Sequence, residues 1–257
     1  MTFVAILRGK SRPYPNAEAN MKILKILGIF WAITLASAGS WGAEEFLVLT
    51  DGTEVKVLFF EPQEPLQTPP LALLISGGSS NKFMARAQFW LGKELLNRGW
   101  AIAVPISPDG NRFSADNSTL FPELIKLLHA SHALKAGKPL LLGISSGGSA
   151  ALAIAAQNPA AYLGVVATPG RIDLDSSLGS LNSLPVYLRI GEQDSFRWNR
   201  RMDAMVELLQ LAGARVDAAI VPGARHIFKL DWDNLETWLT KLQQPDCYAA
   251  RPSRHCL

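Results

Sequence analysis

Apolar residues recur along this chain in two rhythms. Short runs, Leu71–Ile75, Trp100–Val104, Pro139–Leu142, Tyr162–Ala167, Pro185–Ile190 and Arg215–Val221, are nearly continuous. Such runs suit strands buried on both faces, as a parallel sheet covered by helices requires. Between them, apolar positions recur every third or fourth residue. Leu120, Leu124, Leu127 and Leu128 fall on one helical face, as do Met202, Met205, Val206 and Leu209, and Leu235, Trp238, Leu239 and Leu242. Gly99 and Gly213 stand where helices should end, and Pro159 stops the helix that follows the third run. Two further strands, Phe46–Thr50 and Glu54–Phe60, precede the series and are joined by Asp51-Gly52, a strong hairpin signal. A proline-rich link (Pro62, Pro65, Pro69, Pro70) follows. The pattern predicts an α/β fold: one mostly parallel central sheet, an N-terminal antiparallel hairpin, and helices on both faces.

Composition adds a leader. The 257 residues are 48% hydrophobic and 18% charged, with a net charge of +3, which suits a globular domain with a sizeable core. The positive charge is concentrated at the start: residues 1–38 carry Arg8, Lys10, Arg12, Lys22 and Lys25 against Glu18 alone. The rest is close to neutral, so nothing favours nucleic acid as a partner. From Met21, Lys22 and Lys25 lead into the apolar run Ile26–Leu35, and Ala36-Ser37-Ala38 offers small residues for cleavage. A run of about ten apolar residues has the size of a signal-peptide core and is too short to span a bilayer. The expected organisation is a leader over residues 1–38 with the signal at 21–38, a domain over 39–244, and a tail over 245–257. The expected destination is the periplasm or the medium, with no stable membrane insertion once the signal is cleaved, and a membrane anchor if it is not. Cys247 and Cys256 both fall in the tail. In an exported protein they form either a short disulfide loop or two free thiols.

The chemistry centres on Gly143-Ile144-Ser145-Ser146-Gly147, a G-x-S-x-G sequence between a buried strand and an Ala-rich helix. That context holds a serine on a tight turn, with the helix N-terminus aiming N–H groups at it. A serine hydroxyl needs a base, and the base an orienting acid. Of the four histidines, His226 lies in a loop after the last strand, at the sheet edge that carries Ser145. His129 and His132 have the spacing of a helical metal pair but lack a third ligand, and His255 lies in the tail. For the acid, Asp194 in the loop after Gly191 is preferred to Glu192, which sits closer to the strand end. Gly78 in the Ser76-Gly77-Gly78 loop and Ser146 are the candidate backbone donors to an oxyanion, with Ser79 an alternative to Gly78. Arg171, Arg197, Arg200 and Arg201 are available to an anionic substrate, although charges at loop and helix ends are usually solvated.

Together these residues resemble the α/β-hydrolase superfamily, over about residues 45–244. The order Ser145, Asp194, His226 along the chain agrees with that superfamily. Lipases of this kind carry a histidine before the oxyanion glycines, where this chain has Ser76. The gap between Ala167 and Pro185 is about 17 residues, too short for a large lid, which makes the chain more similar to small carboxylesterases and dienelactone-hydrolase-like enzymes. The resemblance implies ester hydrolysis through an acyl-enzyme on a small-molecule substrate, with no metal and no cofactor. It leaves two other expectations open: a peptidase or amidase on the same fold, and a non-catalytic envelope binding protein.

Overall fold

The computed structural model describes residues 42–63, 68–174 and 178–243, all within one unit. The leader and its cleavage site, Cys247, Cys256 and His255 lie outside the described residues. Eight strands form one sheet: β1 (Ala43–Val48), β2 (Glu54–Phe60), β3 (Leu71–Ile75), β4 (Ala101–Pro105), β5 (Leu140–Gly143), β6 (Gly164–Ala167), β7 (Pro185–Gly191) and β8 (Arg215–Val221). Their order is β1-β2-β4-β3-β5-β6-β7-β8. β2 runs antiparallel to both β1 and β4, and every other pairing is parallel. Among the described residues six α-helices accompany them: α1 (Lys82–Ala87), α2 (Trp90–Leu96), α3 (Leu120–Ser131), α4 (Ser146–Gln157), α5 (Met202–Leu211) and α6 (Trp232–Gln243).

Successive strand residues point to opposite faces, so each unbroken apolar run feeds two cores. On one face Leu73, Ile75, Leu141, Val165, Val186 and Leu188 pack against α3, α4 and α5, through Phe121, Leu124, Ala151, Ile154, Met202 and Met205. On the other, Leu74, Ile102, Leu142, Val166 and Tyr187 meet Leu91 and Leu95 of α2 and Leu235, Trp238 and Leu239 of α6. The apolar faces expected for α3, α5 and α6 are the ones that pack, with Phe121 added on α3.

Some expectations differ from the structure. β1 begins earlier than the hairpin signal suggested and stops at Val48, because Leu49 and Gly52 already close the turn: the Gly52 N–H donates to the Leu49 carbonyl. β8 does not have two buried faces. It is an edge strand whose residues alternate between half-buried and exposed. Val216 and Ala218 pack against the core, while Arg215 and Asp217 face water.

All parallel strands deliver their C-terminal ends to one edge. The loops after β3, β4, β5, β6, β7 and β8 therefore gather there, which is where an open α/β sheet places its ligands. Among the described residues, no helix is long and apolar enough to cross a membrane.

Candidate active site

β5 ends at Gly143 and α4 starts at Ser146, so two residues reverse the chain. Ser145 takes φ +58° and ψ −122°. This left-handed conformation costs a residue with a β-carbon roughly 1–3 kcal/mol and persists only where the surroundings impose it. They do so here. The Ser145 N–H donates to the Pro169 carbonyl at 2.8 Å, and the Gly147 N–H donates to the Ile144 carbonyl at 2.9 Å. The flanking glycines have a steric reason. A β-carbon at Gly143 would run into the Gly147 backbone, and one at Gly147 into the Ile75 carbonyl. Strand, turn and helix therefore touch backbone to backbone, leaving the serine at the sheet edge.

Two loops bring partners to Ser145. The His226 Nε2 lies 2.8 Å from Ser145 Oγ, and His226 Nδ1 lies 3.1 Å from Asp194 Oδ2. The Asp194 side chain is fully buried and His226 is only 13% exposed. Asp194 Oδ1 accepts the Phe196 N–H at 2.7 Å, which fixes the rotation of the carboxylate. Glu192 has another task. Its carboxylate accepts the Gly223 N–H at 2.7 Å, and the Gln193 N–H donates to the Ala224 carbonyl at 2.7 Å. These two bonds tie the loop after β7 to the loop after β8, and so set the separation of Asp194 from His226.

The loop after β3 closes over the turn. The Gly78 carbonyl accepts the Ser146 hydroxyl at 3.2 Å, which puts Gly78 beside the first turn of α4. The Gly77 N–H is already engaged by Gln88 Oε1 at 2.6 Å. The N–H groups of Gly78 and Ser146 have no hydrogen-bond partner among the described residues. Both belong to the backbone around Ser145, and the α4 N-terminus adds its positive dipole end. Ser79 stands next along the same loop, its hydroxyl accepting from Asn81 at 2.8 Å.

No protein-family model and no curated protein matches this sequence. Solved structures do. The 2,6-dihydroxy-pseudo-oxynicotine hydrolase superposes with a TM-score of 0.65 at 18% identity, covering 94% of this chain and 79% of its own. Dienelactone hydrolase from Anabaena variabilis gives 0.57 at 22% identity, with 79% and 96% coverage. Porphyromonas gingivalis dipeptidyl peptidase 4 gives 0.60 at 15% identity over 79% of this chain, which spans only 35% of that peptidase.

The chain has the α/β-hydrolase fold.

Within that fold, several side chains around the site carried no recognisable signal in the sequence. Phe196 and Trp198 meet the His226 ring edge to face, with centroids 4.6 and 5.1 Å away. Gln88 orients the β3 loop from the end of α1, which is separated from α2 only by a short break. A cavity of about 300 Å³ opens beside Ser146. Arg171 lines it, with its guanidinium 5.9 Å from the Trp198 ring centroid, and Arg112 joins it from the loop after β4. Arg197, Arg200 and Arg201 are exposed and do not line this cavity. His132 lies just past the end of α3, stacked on Phe59 at 3.6 Å, with ring nitrogens 2.9 Å from Glu45 and 3.4 Å from Glu61. It fastens the hairpin to α3. Among the described residues no set of three or more His, Cys, Asp or Glu side chains is placed to hold a metal ion.

Proposed function

We propose that this protein is an exported serine hydrolase that cleaves carboxylic esters through an acyl-enzyme. The observation that carries the reading is the hydrogen-bonded series Ser145–His226–Asp194 beside two unengaged backbone donors. In this reading His226 takes the Ser145 proton as Oγ attacks the ester carbonyl. The developing oxyanion is held by the N–H groups of Gly78 and Ser146. Collapse of the tetrahedral intermediate expels the alcohol, which His226 protonates. Water then attacks the acyl carbon as His226 takes its proton, and collapse of the second tetrahedral intermediate breaks the bond to Ser145 Oγ, which takes that proton back from His226 as the acid leaves. Asp194 accepts the Nδ1 proton, so that Nε2 faces the serine, and stabilises the imidazolium.

The similarity to dienelactone hydrolase supports hydrolysis of esters. A peptidase on the same fold is the second reading, favoured by the resemblance to dipeptidyl peptidase 4. Labelling with a fluorophosphonate, followed by mapping of the modified residue, tests the assignment. Modification at Ser145 with turnover of p-nitrophenyl esters supports it, and turnover of aminoacyl amides alone favours the peptidase. A protein that neither labels nor turns over is a binding protein. Export is proposed from the leader, and N-terminal sequencing of protein from the envelope or medium should find a chain starting near Gly39. Retention of Ile26–Leu35 would instead mean an anchor.

A further inference from the structure

The cavity beside Ser146 is elongated by construction. Its lining runs from Ser146 to Gln157 along one side of α4, and that stretch of helix rises about 16 Å. Its volume of about 300 Å³ is at the lower end of small-molecule sites, roughly 300–1,000 Å³. The floor is made of short side chains, Ser149, Ala153 and Ala156. The walls are apolar: Phe113 from the loop after β4, Ile172 from the loop after β6, and Trp198 after β7. Ala153 is half-buried and, unlike Ala151 and Ile154 beside it, does not join the core under the helix. The floor therefore owes its depth to the absence of a larger side chain at this position, and not to packing below it.

We infer that this cavity receives the acyl arm of the substrate, and that the arm is an extended, uncharged chain laid along α4. The inference rests on the proposed role of Ser145 and specifies its substrate class. The cavity starts at Ser146, whose N–H is placed to hold the carbonyl oxygen. The acyl chain leaves that same carbonyl, while the departing alcohol must stay within reach of His226. Three apolar walls over a floor of methyl and hydroxymethyl groups favour a methylene chain. Arg112, Arg171 and Asp173 also line the cavity, but all three residues are exposed to solvent.

The test is a series of p-nitrophenyl acetate, butyrate and octanoate on the full exported chain and on Ala153→Leu. The wild-type protein should prefer octanoate to acetate in kcat/KM by about tenfold or more, since the longer chain buries additional methylenes in the cavity. In Ala153→Leu the octanoate-to-acetate ratio should fall by about tenfold, because leucine occupies the channel near its middle. A merely structural effect would lower both esters alike. If Ala153→Leu does not fold, the rates at which wild type reacts with octyl and ethyl fluorophosphonates read the same preference. A flat wild-type series, an equal loss on every ester in the variant, or preference for the p-nitrophenyl monoester of adipic acid over octanoate would overturn the inference. Failure to label Ser145 or to cleave any ester would remove the reading beneath it as well, and is told apart by the fluorophosphonate result.

Discussion

The conformation of Ser145 leads to a comparison of Ser145→Gly with Ser145→Ala. Both variants lose the hydroxyl, and with it the 2.8 Å hydrogen bond to His226, so that contribution cancels between them. They differ in the β-carbon alone. At φ +58° and ψ −122° the serine holds the geometry of the first central residue of a type II′ turn, where glycine is preferred. Alanine keeps a strain of roughly 1–3 kcal/mol that glycine releases. Glycine in turn loses about 0.5–1 kcal/mol more chain entropy on folding. The balance predicts that Ser145→Gly is more stable than Ser145→Ala by about 1 kcal/mol, the reverse of the order inside an ordinary helix or strand. In a domain of this size that is roughly 2–4 °C in Tm. Urea unfolding followed by tryptophan fluorescence reads the difference as a shift in midpoint at constant slope. Under the proposed function both variants should lose ester turnover by about 10⁴-fold or more. An alanine variant as stable as the glycine variant would refute the reasoning, because it would mean that the turn imposes no strain.

Other substitutions probe the surrounding geometry. Asp194→Asn should lower kcat by about 10³–10⁴-fold, since an amide presents the wrong hydrogen-bonding partner and no charge to His226. Glu192→Gln should cost far less, because its contact is with the Gly223 N–H; kcat measured at one pH separates the two, and the opposite order would move the acid to Glu192. Hydrogen bonds from Ser107 and Asn111 hold the Asp109 carboxylate down to about 2 against an ordinary value of 3.8. A depressed carboxylate contributes stability above its unfolded value and loses it as pH falls through the folded one. Thermal melts of wild type should therefore fall more steeply between about pH 4 and pH 2 than those of Asp109→Asn, and equal slopes would count against it. The Tyr162 hydroxyl is buried with no hydrogen-bond partner among the described residues, and burial pushes its pKa up to about 12. Tyr162→Phe should be neutral or stabilising by up to about 1–2 kcal/mol in urea unfolding, and a loss of that size would reveal a partner for the hydroxyl.

Much of this architecture was legible along the chain, because it depends on residues near one another in sequence. Alternation within Leu71–Ile75 supplies two cores whichever helices cover them. The stripe Leu235, Trp238, Leu239, Leu242 can bury itself only as a helix, and it does. The glycines at 143 and 147 mark a crowded turn wherever it stands. What the sequence could not reveal was which surfaces would meet. The apolar content of β8 reads as a strand buried on both faces, yet its place at the sheet edge leaves it half exposed. Asp194 and Glu192 are separated by one residue, and position in the loop favoured Asp194 without showing what would hold either carboxylate. Two loops pinned together by Gly223 and Ala224 turn the Asp194 carboxylate inward and the Glu192 carboxylate away. Gln88, Phe196, Trp198 and Ala153 share no motif: Gln88 stands at the end of α1, Phe196 and Trp198 follow β7, and Ala153 lies within α4. Their association around Ser145 is a property of the parallel sheet, which brings distant strand ends to one edge and lets contacts there be chosen by shape.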